Sequence, residues 1–248
     1  MRTHLRLATA LILLFSLQSM AEDSSAAGTV AVETNENYTL PYKERRGKHG
    51  LLFAIEMEKF YPFDYQSIKH DGSFVEDVIG TSRINFVGFE IGYKYNVSIG
   101  SVAALFTYAK GTGEGARILD IVKQGVSANV TLDALFNEPW VAPYVQVGMH
   151  QFSVAETSTT FSLTESDSFA LNYRYGLLFQ LNWIENSIDK SSQADALRSS
   201  GLENTFIDIY FAEHLASSGA QDPSVSGGSG QPNMASSGEM GIGLKLEF

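Results

Sequence analysis

The chain closes on GEMGIGLKLEF (residues 238–248). Met240, Ile242, Leu244, Leu246 and Phe248 alternate with Gly241, Gly243, Lys245 and Glu247. An apolar residue at every second position marks a strand with one apolar and one polar face. Chain ends usually fray into polar residues, yet this one stops on an aromatic side chain at the end of a strand. Where the apolar face points decides the fold, and the upstream segments bear on it.

The same alternation recurs. HGLLFAIEMEKF (49–60) sets Leu51, Phe53, Ile55 and Met57 against Ala54, Glu56 and Glu58. NFVGFEIGYKYNV (85–97) sets Val87, Phe89, Ile91, Tyr93 and Tyr95 against Gly88, Glu90, Gly92 and Lys94. SVAALFTYAK (101–110) repeats the pattern with Val102, Ala104, Phe106 and Tyr108. GVSANVTLDAL (125–135) opposes Val126, Ala128, Val130 and Leu132 to Ser127, Asn129, Thr131 and Asp133. VAPYVQVGMHQF (141–152), FALNYRYGLLFQLN (169–182) and TFIDIYFAEH (205–214) follow, with Tyr144, Gln146, His150, Asn172, Arg174 and Asp208 on their polar faces. This predicts about eight strands, each near the roughly 9–11 residues that cross a bilayer at a tilt. No helical period of similar strength competes.

Composition narrows the function classes. The formal charge is −11, from 17 basic and 28 acidic groups, and no basic stripe suggests a nucleic-acid partner. Without cysteine there is no disulfide framework and no thiolate site. Arg2 and Arg6 precede an apolar run over residues 7–17 and then Ser19, Met20 and Ala21. That order predicts a signal peptide, residues 1–21, cleaved after Ala21. The run is short for a spanning helix. Cleavage would remove two arginines, so 15 − 28 leaves a mature charge of −13. Residues 22–47 read as a flexible periplasmic lead-in with a basic run, KERRGK (43–48).

The connections alternate in length. Those at 96–100 and 136–140 are short, whereas 61–83, 155–168 and the Gly/Ser/Pro-rich 217–237 are long and read as mobile loops. Two break the rule: 110–116 is short on the long-loop side, and 183–204 is long on the turn side, with a short helix expected near 191–201. The GTGEGA run (111–116) has dinucleotide-loop spacing but no following helix, so it reads as a hairpin turn.

A soluble barrel or sandwich would put the apolar faces inward and charged residues outward. Here the polar faces are rich in glycine and only 18% of the chain is charged. Aromatic residues cluster at strand ends: Tyr95, Phe136, Trp140, Trp183 and Phe248 on the turn side, and Phe60, Tyr61, Phe86, Phe106, Tyr108, Phe152 and Phe169 on the loop side. Paired aromatic girdles and long loops on one side only suit a membrane barrel. From residue 48 onward, with the export signal, the chain resembles the small, eight-stranded outer-membrane β-barrels of Gram-negative bacteria. The resemblance implies an all-β, antiparallel, up-and-down transmembrane barrel over 48–248 in the cell outer membrane. It implies that Met240, Ile242, Leu244 and Leu246 face lipid, that the last strand closes on the first, and that Phe248 is read by the barrel-assembly machinery.

Chemistry is sparse. His49, His70, His150 and His214 lack metal-ligand spacing, and no cofactor or metal is expected. Some small barrels modify lipid A. His150, Ser153 and His214 fit no such motif, and the chain reads as no enzyme. Glu56, Glu58, Glu90, Lys94, Asp133, Arg174, Asp208, Lys245 and Glu247 share the inward parity and predict a lumenal charge network. Arg174 is expected to reach Glu90 and share Glu56, with Asp208 pairing Lys245. Eight strands leave an interior that side chains just fill. The expected function is therefore a structural, surface-interaction barrel with a plugged lumen. A narrow channel for ions or small solutes is the alternative.

Overall fold

The computed structural model describes residues 40–181 and 201–248. The predicted signal peptide, Trp183 and the predicted helix near 191–201 lie outside these residues, as does most of the 22–47 lead-in. A single helical turn, α1 (Tyr42–Arg45), precedes β1 (His49–Phe60). A short helix, α2 (Val75–Ile79), separates β1 from β2 (Ile84–Val97). Then come β3 (Gly100–Glu114), β4 (Ile118–Thr131), β5 (Val141–Thr157), β6 (Ser162–Ser166), β7 (Ala170–Gln180), β8 (Asn204–His214) and β9 (Ser236–Glu247).

Eight of the nine strands among the described residues close into an antiparallel ring: β1–β2–β3–β4–β5–β7–β8–β9 and back to β1. Closure joins the terminal strand to the first, from Leu52 opposite Glu247 to Glu58 opposite Gly241. Leu51 and Phe248 exchange both backbone hydrogen bonds, at 2.7 and 2.9 Å. The ninth strand, β6, lies outside the ring and, among the described residues, pairs only with the outer end of β5.

Strand parity sets the faces. Val126 is 58% exposed and Met240 52%, while Asn129 and Lys245 are each 2% exposed. Met240, Ile242, Leu244 and Phe248 point outward, as do Ile55, Ile91, Val145 and Tyr175. Inside, Gly241 leaves room for the Tyr210 ring, which a Cβ there would meet at 2.1 Å.

Toward the loops, polarity inverts. Outward positions become polar along a register running from Lys59 opposite Asn85, to Thr112, to Asp120. Thr112 donates to Asp120 at 2.5 Å, and Gln124 to Gln151 at 3.3 Å. Inward positions become apolar at the same level: Phe60, Ile84, Phe86, Leu119, Ile121, Phe152 and Val154. The barrel is thus inside-out along most of its length and then continues as an ordinary water-soluble barrel with an oily core.

This inversion corrects the girdle assignment. Phe60, Phe86 and Phe152 are buried in the lumen, and only Phe106, Tyr108 and Phe169 of the fully outward aromatics predicted there are exposed. Phe60, Phe86 and Phe152 share the parity of the inward-facing Glu58, Glu90 and His150 on their strands. The loops also depart from expectation. Residues 61–83 bury Tyr65, Ile68, Val75, Val78 and Ile79 on the apolar cluster. The Gly/Ser/Pro-rich loop buries Gln221, Asn233 and Met234. It is tied to its neighbours by Gln66 Nε2 donating to the Asp222 carbonyl, Gly227 N to Gln66 Oε1, and Ser168 N to Gln231 Oε1.

Candidate functional site

The lumen is built in layers. Nearest the chain terminus, Lys94 lies 2.7 Å from Glu247 and 3.3 Å from Asp133. Tyr42 of α1 inserts its hydroxyl here, donating to Glu247 at 2.7 Å and lying 3.2 Å from Asp133. Lys94 donates to that hydroxyl at 2.7 Å. Arg46 donates to Asp133 at 2.8 Å and to the carbonyls of Gly100 and Val97. Tyr42 is fully buried. Burial, and then the Glu247 charge, push its phenol well above its ordinary pKa, so it stays a neutral donor. The expectation of a flexible segment ending at residue 47 is therefore corrected for its last residues. From Tyr42 the chain packs against the lumen, where two buried carboxylates need the donors it brings.

At mid-height Arg174 donates to both Glu56 oxygens, at 2.8 and 3.1 Å, and lies 3.1 Å from Glu90. Its guanidinium stacks 3.9 Å from the Tyr210 ring centre. The bidentate contact is to Glu56 and not to Glu90, the partner that strand position predicts. Glu90 Oε1 already accepts from Thr107 and Gln146, each at 3.0 Å. Lys245 lies 3.6 Å from Asp208, which also accepts from Tyr144 at 2.9 Å. Higher up, Glu58 accepts two bonds of 3.0 Å from Lys123 and lies 3.1 Å from His214 Nε2. Lys123 was missed in the sequence. It carries the inward parity of β4 one step beyond the run that alternates most clearly.

Above this layer aromatic rings pack in the lumen. Phe60 stacks on Phe152 at 5.5 Å, and both meet His214 edge-on at 5.5 and 5.4 Å. His214 and His150 lie beneath these aromatics, away from the rim; Ser153 sits on the outer face of β5, bonded to Ser166. The three do not come together as a catalytic group. Among the described residues, no cluster of His, Cys, Asp or Glu has metal-holding geometry.

A folded cap sits on the aromatic layer. Glu156, buried at the outer end of β5, accepts from Tyr65 at 2.9 Å, Ser67 at 2.9 Å, the Ile68 amide at 3.2 Å and Arg117 at 2.5 Å. Arg117 also donates to Asp71 at 2.7 Å. One buried carboxylate thus clamps the first long loop over the mouth. Burial and Glu156 together keep the Tyr65 phenol protonated.

An outer surface of this kind is stable only against hydrocarbon, and a closed barrel is the strand architecture that can present it. The protein is a transmembrane β-barrel of the outer-membrane type. No protein-family model matches the chain, and no curated protein matches it in sequence. Several solved structures resemble it. Ail, the attachment invasion locus protein of Yersinia pestis, is 16% identical with a TM-score of 0.45, covering 82% of this chain and 99% of its own. Neisserial surface protein A is 12% identical with a TM-score of 0.44, covering 82% and 98%. The N-terminal β-barrel domain of Pseudomonas aeruginosa OprF is 11% identical with a TM-score of 0.40, covering 80% and 99%. The barrel assignment here stands on the strand pairing that closes the ring.

Proposed function

We propose that the protein is a sealed outer-membrane anchor that displays a folded loop cap for surface interaction, and that it is not an enzyme. The observation that supports this reading is the packing of buried side chains at both ends of the lumen. Tyr42 and Arg46 fill one end, and the Phe60–Phe86–Phe152 layer under α2 fills the other. A pore needs a continuous water path, and an eight-stranded ring has little interior to spare once its side chains are in place. An even strand number puts both barrel ends on one side, here the periplasm. The loops at 61–83, 115–117, 158–169 and 215–235 then face outward. In biogenesis the terminal strand would offer Met240, Ile242, Leu244, Leu246 and Phe248 to the assembly machinery, and outer-membrane lipid would then cover them.

A narrow channel is the second reading, favoured by the charged middle layer around Arg174. Planar-bilayer recording of the refolded full chain separates the two. The anchor predicts no stepwise conductance, together with lost adhesion or envelope integrity on deletion. Stepwise conductance overturns it. An altered lipid A mass on overexpression would overturn the non-enzymatic reading.

A further inference from the structure

Strand β6 has one neighbour. Its sequence is SLTES, and its residues pair with β5 from Ser162 opposite Thr157 to Ser166 opposite Ser153. Among the described residues no other strand pairs with it. The direction of its backbone groups follows from the flanking bonds. Asp167 N donates to the Phe152 carbonyl at 3.0 Å, and Ser158 N to the Phe161 carbonyl at 2.9 Å. In an antiparallel ladder bonded and non-bonded pairs alternate. Leu163 and Glu165 therefore turn their amides and carbonyls toward β5, while Ser162, Thr164 and Ser166 turn theirs away. The side chains agree. Ser153 meets Ser166 at 2.5 Å and Thr157 meets Ser162 at 3.2 Å, as expected of non-bonded pairs, where side chains approach more closely.

The edge is open as well as unpaired. Ser162, Leu163, Thr164 and Ser166 are exposed, and Glu165 is half-buried. Exposed edges are normally blunted by lysine, proline or a bulge. This one carries neither residue type and a single charge, Glu165. It stands on the polar-faced part of the barrel, clear of the apolar belt.

We propose that the free edge of β6 is a docking site for an extended segment of another protein, added antiparallel as a further strand. Backbone bonds to Ser162, Thr164 and Ser166 would hold it. The preferred segment has an apolar residue opposite Leu163 and a cationic one opposite Glu165. A second copy of this chain in the same membrane does not fit. Copies in one bilayer are related by an axis along its normal, and β6 inherits the slope of a tilted barrel strand. Rotation about the normal preserves that upward slope, so β6 cannot run antiparallel to itself. The inference rests on the surface-display reading, yet the two fail separately. Conductance would overturn that reading while an inert edge would leave the sealed lumen standing.

The test uses the full chain refolded in detergent micelles and the synthetic peptide STKTVTS, which places lysine opposite Glu165 and valine opposite Leu163. Peptide should slow amide exchange at Thr164 by about tenfold and leave Leu163 unchanged, because Leu163 is already bonded within the sheet. Thr164→Pro removes an outward amide only, a change that edge strands tolerate. It should weaken binding about five- to tenfold with the unfolding midpoint kept. Glu165→Lys should reverse the preference toward a peptide bearing glutamate in place of lysine. A peptide N-methylated at its central threonine should bind worse than the parent, whether or not the proline variant folds. Unchanged exchange at Thr164 up to millimolar peptide, or equal binding by the N-methylated peptide, overturns the proposal.

Discussion

The two ends of the lumen are filled by opposite chemistry. At the terminal end the filling is ionic: Lys94, Asp133, Glu247 and Arg46 around the Tyr42 hydroxyl. At the loop end it is apolar: three phenylalanines under Val75, Val78 and Ile79. The exterior explains the difference. Where lipid surrounds the barrel, apolar side chains gain little by turning inward, so the interior is organised by partnered charges. Where the exterior turns polar, near Lys59, Asn85, Thr112 and Asp120, water is back outside and apolar burial regains its driving force. The interior therefore changes character at the height where the solvent changes.

The comparison breaks most sharply at Arg174. Removing it leaves Glu56 and Glu90 buried without their cation, and breaking such a pair typically costs about 3–5 kcal/mol. Arg174→Ala should lower the urea unfolding midpoint strongly. Adding Glu56→Gln should recover part of the loss, because the bidentate partner is then neutral. Strict additivity of the two changes would show that the middle layer is not a coupled network.

Tyr42→Phe probes the ionic end more gently. It deletes one hydroxyl shared by Lys94 and Glu247 and leaves the ion pair between them. Hydrogen bonds to charged groups contribute about 1.5–3 kcal/mol, and the surviving pair should keep the loss near the lower figure. Amide exchange should quicken around Leu51 and Phe248, where the ring closes, and stay unchanged in the cap. Quickening in the cap as well would mean that the two ends are not independent.

The apolar end should respond by volume alone. Ile121→Val removes one methylene from a fully buried site and should cost about 0.5–1.5 kcal/mol. The same loss outside, Ile91→Val on the lipid face, should be close to neutral, since lipid fills what the side chain vacates. Equal losses at the two positions would contradict the account of where apolar burial acts.

Much of this was legible because parity is local. Period-two alternation fixes which residues face inward without knowing the ring, so Glu56, Glu90, Arg174 and Lys245 could be placed inside from sequence alone. The choice among partners is not local. Arg174 takes Glu56 in both oxygens because Glu90 is already engaged by Thr107 and Gln146 from neighbouring strands. Tyr42 left little trace, since it belongs to no alternating run and is fixed by Lys94, Asp133 and Glu247 far along the chain. The cap did leave one. Val75, Val78 and Ile79 have helical spacing, and Asp77 accepts the Phe74 amide at 3.0 Å as a helix-start cap. That short signal lay inside a connection whose composition reads as loop.

The smallest effect expected is a pH dependence confined to the cap. Asp167, between β6 and β7, accepts the Phe152 amide at 2.7 Å. Burial pushes its carboxyl up to about 7, and the bond from Phe152 offsets only part of that rise. A folded pKa above the unfolded one means that the folded connection binds the proton more tightly. Its stability should then be fullest below the ordinary aspartate range, near pH 4, and fall as pH rises toward 7. The charged form can escape by opening residues 158–169 alone, so the global midpoint should move by less than about 1 kcal/mol. Amide exchange at Phe152 and Asp167, corrected for intrinsic rate, should quicken across that window. Asp167→Asn should flatten the dependence while keeping an acceptor for Phe152. A dependence that persists in the asparagine variant would assign the titration to another group in the cap.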